Sequence, residues 1–207
     1  HAYGGLGNNI FNPAMVGYAV ILLSFPQALA AWPALGGAEN LASDALSGAT
    51  YLSEFRYRDA MTVDEFLLNN PQVMHQQIIA GLFLLGGLGL IYLRIISWRI
   101  PLALLITVGL LASVTYDQGS TQSMGSAWFH WATGGTMAAA FFVATDPVTH
   151  PSRHSHQIIF AVSIGILLFV IRTQGNLPDG IAFAVLLANC ATPLLNRIHR
   201  QREKQHV

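Results

Sequence analysis

The chain has 207 residues, of which 53% are apolar and only 10% charged, with ten basic side chains against ten acidic ones and a single cysteine, Cys190. Soluble domains carry about 25% charged residues, so this composition excludes an ordinary soluble enzyme, a disordered chain and a basic nucleic-acid binder. It is the composition of a chain solvated by a bilayer, and one cysteine excludes an internal disulfide framework and a thiolate-bound zinc or iron–sulfur site.

No charged leader followed by a short apolar run opens the sequence. Gly4-Gly5-Leu6-Gly7-Asn8-Asn9 is already patterned like the approach to a membrane helix, and the chain is expected to begin partway through a longer protein. Six apolar segments follow, at roughly Ile10–Ala31, Gln77–Ile96, Pro101–Tyr116, Ala127–Thr145, Gln157–Ile171 and Ile181–Leu195. Several are shorter than the roughly 20 residues that a straight crossing needs. In the first, Asn12-Pro13 is a good N-cap and N1 pair, and Pro26 lies fourteen positions after the cap.

The longest polar stretch, Trp32–His75, holds six acids (Glu39, Asp44, Glu54, Asp59, Asp64, Glu65) and two arginines. Within it, Asp44-Ala45-Leu46-Ser47-Gly48-Ala49-Thr50 reads as a small-residue turn that exposes a hydroxyl. Gly48 and Ala49 leave room for another molecule to approach the backbone. On the residues alone a plain turn is preferred to an esterified Thr50 with Asp44 beside it as a base or metal-binding acid. Further on, Thr62-Val63-Asp64-Glu65 is a capping box, so a short helix is expected to follow and to stop before Pro71.

The fourth apolar segment contains His130-Trp131-Ala132-Thr133-Gly134-Gly135-Thr136, which repeats the spacing of the Thr50 motif with His in place of Asp and Gly in place of Ala. Thr133, Gly134, Gly135 and Thr136 are read as small residues permitting close helix packing rather than as a second modification site. Asp146-Pro147 ends that segment, and Asp146 is expected to cap a following turn. His150, His154 and His156 suit a solvated polar loop better than a metal cluster. His75 and Arg172 sit at expected membrane edges, where snorkelling accounts for them. Trp32, Trp98, Trp128 and Trp131 read mostly as interfacial anchors. Near the C-terminus Asp179-Gly180 precedes an apolar run whose Pro193 again lies fourteen positions after the cap residue. Two short, proline-interrupted segments in matching places suggest two repeats with broken helices near a central site; two ordinary helices, each kinked by a proline, fit the interval equally well.

With six crossings, Arg94, Arg99, Arg153, Arg197, Arg200, Arg202 and Lys204 fall on one side, and Arg56, Arg58 and Arg172 on the other. The positive-inside rule makes the richer side cytoplasmic. The 32–75 loop is then periplasmic, and residues 1–207 form one transmembrane domain.

The string Asp44-x-x-Ser47-Gly48-Ala49-Thr50 resembles the recognition motif of flavin transferases, which join FMN to the final Thr through a phosphoester. Gly4–Gly17, Phe141–Thr149 and Leu177–Asn189 resemble blocks of the RnfD family, a membrane component of the Rnf ion-translocating electron transport complex, and the likeness runs over nearly the whole chain. The related NqrB component of the sodium-pumping NADH:quinone reductase shares the flavin motif and the Asn-Pro-Ala block but fits the other blocks less well. The resemblance implies covalent FMN on Thr50, with Asp44, Ser47, Gly48 and Ala49 as recognition residues. It implies about ten membrane helices in a two-repeat, urea-transporter-like bundle, of which six are present here. It implies a bacterial inner-membrane flavoprotein that relays electrons between ferredoxin and NAD with sodium or proton movement. Its partners would be the other Rnf proteins (RnfA, RnfB, RnfC, RnfE and RnfG), above all RnfG with its periplasmic covalent flavin, within the bilayer and without nucleic acid. An NqrB-like role, a urea-transporter-like channel and a purely structural scaffold are the competing functions. No catalytic residue and no metal ligand is expected on this chain.

Overall fold

The computed structural model describes residues 9–26, 32–33, 47–48, 51–58, 61–70, 72–175 and 180–205. In chain order these form α1 (Pro13–Ser24), a two-residue antiparallel pair β1 (Trp32–Pro33) and β2 (Ser47–Gly48), and two short helices, α2 (Tyr51–Arg56) and α3 (Val63–Asn69). Then come α4 (Gln72–Tyr92), α5 (Arg99–Val114), α6 (Ala127–Ala132), α7 (Thr136–Ala138), α8 (His154–Gln174) and α9 (Ile181–Gln205). Helix α7 runs on into a π-helical turn over Ala139–Val143. Apart from the β pair, the regular elements among the described residues are helices.

Helices α5 and α8 form the centre of the bundle, with α6 against α5, α9 against α8, α1 against α9, and α4 against α7 and the π-turn. The central seam repeats every four residues on both sides: Ile100, Leu104 and Val108 of α5 meet Phe160, Ile164 and Leu168 of α8, all fully buried. Helix α4 approaches the π-turn so closely that a Cβ at Gly87 would fall on the Phe141 ring. The outer faces are apolar as well. Val20 and Leu23 of α1, Leu82 and Leu85 of α4, Ile106 and Leu110 of α5, and Leu187 and Leu194 of α9 are exposed. Contiguous exposed apolar surface on this scale marks a membrane or interaction surface. Val73–Tyr92 and His154–Gln174 are long and apolar enough to cross a bilayer, and Pro13–Ser24, Arg99–Val114 and Ile181–Leu195 are shorter apolar helices.

The first segment follows the expectation. Asn12 Oδ1 accepts from the backbone N–H of Ala14 at 3.0 Å and of Met15 at 3.2 Å. The helix stops at Ser24, Phe25 leaves helical geometry (φ −135°, ψ 56°), and Pro26 resumes it. Proline disfavours the α conformation for the residue before it. The matching break expected at Pro193 is not found: α9 runs through that proline to Gln205. Losing one N–H costs a single ladder bond, which a helix packed among neighbours can absorb. Asp179, the expected cap, lies outside the described residues.

A second break lies instead in the fourth segment. After α6 ends at Ala132, Thr133 is extended, and Gly134 and Gly135 take the left-handed conformation at φ +59° and +69°. These small residues, read from the sequence as permitting close packing, do so by interrupting the helix. Arg172 of α8 fills the interruption and is only 6% exposed, so the snorkelling reading is corrected. Its guanidinium donates to the His130 carbonyl (3.2 Å), the Thr136 hydroxyl (3.0 Å) and the Gly134 carbonyl (3.1 Å). A cation at the carbonyl end of α6 also complements the helix dipole. Trp131, read as an interfacial anchor, lies over Gly109 and donates its indole N–H to the Leu105 carbonyl at 3.0 Å, whereas Trp98 and Trp128 are exposed.

Arg172→Met leaves the Gly134 carbonyl without its donor. The expected loss is about 1–3 kcal/mol, read as a lower unfolding temperature of the detergent-solubilised protein. Arg172→Lys should recover only part of it, because an ammonium cannot reproduce the planar fork; full recovery would refute the role given to the fork.

Candidate functional site

Among the described residues, the 32–75 segment, which carries the Asp44–Thr50 string, is held at two points. At its start, β1 and β2 pair with Trp32 opposite Gly48 and Pro33 opposite Ser47. This backbone pairing brings the two edges of the intervening segment together and puts Ser47 and Gly48 on a defined ladder. Asp44, Ala49 and Thr50, the other members of the candidate site, lie outside the described residues.

Downstream, α2 begins at Tyr51, directly after Thr50 in sequence. Leu52 and Phe55 of α2 and Val63 and Phe66 of α3 bury themselves against Phe129 at the start of α6, forming a second hydrophobic cluster. Phe55 packs on Phe129 with ring centroids 4.0 Å apart and meets Phe66 edge-on at 5.3 Å. Arg58 lies over the Phe55 ring at 4.1 Å. It donates to the carbonyls of Phe55 (3.0 Å), Met61 (3.2 Å), Thr121 (3.0 Å) and Ser123. Its partial burial lowers its pKa from the usual value. Arg56 donates to the Gln174 carbonyl at 3.3 Å, and Asn70 donates to Glu54 at 2.8 Å. Sequence reading counted Arg56 and Arg58 only as charges on the outer side and missed α2 altogether. The signal was present in Leu52 and Phe55, a turn apart, echoed by Val63 and Phe66.

The capping box forms as expected. The Glu65 N–H donates to Thr62 Oγ1 (3.3 Å), while Thr62 N–H and Oγ1 donate to Glu65 Oε2 (2.9 and 3.0 Å), and the helix ends at Asn69 before Pro71. The backbone N–H and the hydroxyl of Thr62 hold the Glu65 carboxyl below its ordinary pKa.

The near-copy of the flavin motif has a different fate. Thr136 is fully buried, and its hydroxyl donates to the His130 carbonyl at 2.6 Å. It presents no free hydroxyl to an incoming group.

At the opposite end of the bundle, Asn12, Pro13, Leu90, Ile96, Phe141, Phe142, Thr145, Asp146 and Pro147 line a cleft of about 370 Å³. The Asn12 amide donates to the Val143 carbonyl at 3.4 Å, tying the start of α1 to the end of the π-turn. Asp146 caps the turn after it, accepting from the Val148 N–H (3.3 Å) and the Thr149 hydroxyl (3.0 Å), as its sequence position suggested. Among the described residues no three His, Cys, Asp or Glu side chains come together as a metal site.

Two consequences of the box can be measured. Thr62→Ala should raise hydrogen exchange over residues 61–70, through the loss of a cap worth about 1 kcal/mol. Because the folded Glu65 pKa is lowered, its contribution is present above the ordinary carboxylate range and is lost as pH falls through the folded value. Exchange over the same residues, corrected for intrinsic rate, should therefore rise on acidification in the native protein and not in Glu65→Ala.

The model of the NQR2, RnfD, RnfE family matches residues 1–205. The D subunit of an ion-translocating oxidoreductase complex from Ectopseudomonas mendocina (strain ymp) is 37% identical over 220 residues, covering 99% of this chain and 64% of its own length. Proteins of the same name from Pseudomonas paraeruginosa (strain DSM 24068 / PA7) and Pseudomonas aeruginosa (strain UCBPP-PA14) are 38% and 39% identical, each over all of this chain and 65% of its own length. The chain thus spans slightly less than two thirds of the curated relatives it matches. On the extent of the match and the residues that carry it, the chain belongs to the NQR2, RnfD, RnfE family.

Proposed function

We propose that this chain is the membrane core of a flavin-bearing component of an ion-translocating ferredoxin:NAD oxidoreductase, with FMN joined to Thr50 through a phosphoester. The observation that carries the reading is the complete Asp44-x-x-Ser47-Gly48-Ala49-Thr50 string in a chain of this family. The described part of the loop fits a tethered group. Ser47–Gly48 is a paired backbone segment, and α2, immediately after Thr50, is clamped to the bundle by Phe55 and Arg58. Thr50 serves as the anchor, and Asp44, Ser47, Gly48 and Ala49 are the residues read by the enzyme that attaches the group. When bound, FMN supplies one- and two-electron chemistry. The chain holds the tether at the bundle end where Arg58 and Phe55 dock the loop, which gives the group a high effective concentration there. The ferredoxin, NAD and iron–sulfur chemistry belongs to the other Rnf proteins (RnfA, RnfB, RnfC, RnfE and RnfG), with RnfG beside the flavin loop.

The same reading includes six crossings of the bacterial inner membrane and a two-repeat, urea-transporter-like architecture, though without the matched proline breaks. The 32–75 loop is periplasmic and the C-terminus cytoplasmic. Supporting this, Leu52, Phe55, Arg56, Arg58, Val63 and Phe66 gather with Thr121, Phe129 and Gln174 at one end, while Asn12, Leu90, Ile96 and Asp146 gather at the other. Electrons from the cytoplasm would cross the membrane to reach the loop, and each charge moved works against about 2.3 kcal/mol per 100 mV. That work is the physical basis for coupling to sodium or proton movement.

In-gel fluorescence of the denatured protein, made with an active flavin transferase, should show a flavin that disappears in Thr50→Ala while membrane insertion persists. Flavin persisting in that variant, or none in the native protein, would overturn the reading in favour of another attachment site or a channel. For the topology, an impermeant thiol reagent should label Tyr57→Cys in intact cells and Ser152→Cys only after the membrane is opened, both in a Cys190→Ser background. The reverse pattern inverts the orientation and the electron route.

A further inference from the structure

Helix α9 carries polar groups that the bundle buries and leaves unused. Asn189 is 0% exposed, and neither its Oδ1 nor its Nδ2 has a hydrogen-bond partner. One turn later on the same face, Thr192 is 8% exposed and its Oγ1 is also without a partner. This is not how the bundle treats four other threonines in or just after its helices. Thr107, Thr115, Thr145 and Thr173 each donate to the carbonyl four residues earlier, at 2.7, 3.0, 2.6 and 2.8 Å. Pro193 adds a third group: lacking an N–H, it cannot satisfy the Asn189 carbonyl, its partner in the helical ladder. Asn189 lies eight residues after the start of α9 at Ile181, about 12 Å along the axis at 1.5 Å per residue. That places it well inside the apolar layer, where unmet polar groups are costly and mark functional positions.

We propose that the Asn189 carbonyl, Asn189 Oδ1 and Thr192 Oγ1 form one side of a binding site for a dehydrated monovalent cation, completed by oxygens from the packed surfaces of α1 and α8 or by water. The donor set selects the ligand class. All three oxygens are neutral and hard, which suits an alkali cation. No carboxylate is among them, which disfavours a calcium- or magnesium-type site. Neither residue titrates, so the site cannot hold a proton as a protonatable group would. The proline therefore has a use: it frees a carbonyl without ending the helix. The proposal rests on the ion-moving half of the function proposed above and is independent of the flavin.

The test is equilibrium binding of radiolabelled sodium to the purified complex containing the full-length protein, at constant ionic strength balanced with choline chloride. The native complex should bind sodium saturably. Thr192→Val, an isosteric loss of one oxygen, should weaken that binding by about tenfold or more, and Thr192→Ser should restore it. Asn189→Leu should remove one sodium per complex. An absence of saturable binding in the native complex overturns the site and leaves a buried water as its occupant. So does equal sodium affinity in native and Thr192→Val complexes. Flavin fluorescence on the same samples separates the two readings. Thr192-dependent sodium binding without flavin upholds the site while the redox reading falls; flavin with sodium binding indifferent to Thr192 does the reverse.

Discussion

A helix interrupted inside an apolar layer exposes carbonyls that neither lipid nor a continuing ladder can satisfy. In this chain the interruption at Thr133–Gly135 is tolerated because Arg172 reaches it from α8 and spans the gap with a planar fork. The charge of Arg172 is in turn accommodated by carbonyl oxygens, a hydroxyl and the carbonyl end of α6. Each half makes the other permissible. A buried guanidinium without the break would lack acceptors, and a break without the guanidinium would leave the Gly134 carbonyl without its donor. Gly134 completes the arrangement, because a Cβ there would meet both the Leu52 side chain and the Arg172 guanidinium.

That contact links the interior of the bundle to the loop above it. Leu52 belongs to α2, directly downstream of Thr50, so the surface on which the flavin-motif loop docks includes the Gly134 backbone. Arg56 joins the same region to the end of α8 through Gln174. The loop is long, but its second half is fixed by aromatic contacts and by Arg58, which serves four carbonyls from two separate segments. Held in this way, the described second half of the loop would suit the tethered cofactor proposed above, whose electron transfer depends on position more than on any acid or base from the protein.

At the far end, the break takes another form. The π-turn over Ala139–Val143 adds a residue to one turn, and the Asn12 amide meets its last carbonyl. Asn12 thus both caps α1 and joins α1 to the segment that contains the first break. The cleft beside it forms where these two irregular backbones meet the end of α4. At these two interruptions, the Thr133–Gly135 break and the π-turn, a side chain from a distant segment supplies a hydrogen bond.

Local chemistry was legible in the residues. Asn12, Thr62 and Asp146 cap what their positions suggested, because a cap involves residues only two or three apart. Pro26 ends its helix for the same reason. The apolar segments and the flavin string could also be read directly, since composition and a contiguous motif need no knowledge of packing. What the tertiary structure decided were relations between distant residues. Arg172 resembles any edge arginine until the His130–Thr136 segment is brought against it, 36 to 42 residues away in sequence. Pro193 has the same local chemistry as Pro26, yet its helix, which packs against α8 and α1, runs on to Gln205. Gly134 and Gly135 permit both close packing and a left-handed turn, and only the arrival of a donor from α8 selects the turn. Sequence specifies which conformations each short stretch can adopt; the cost of unmet polar groups in an apolar layer decides among them, and that cost depends on neighbours only the fold supplies.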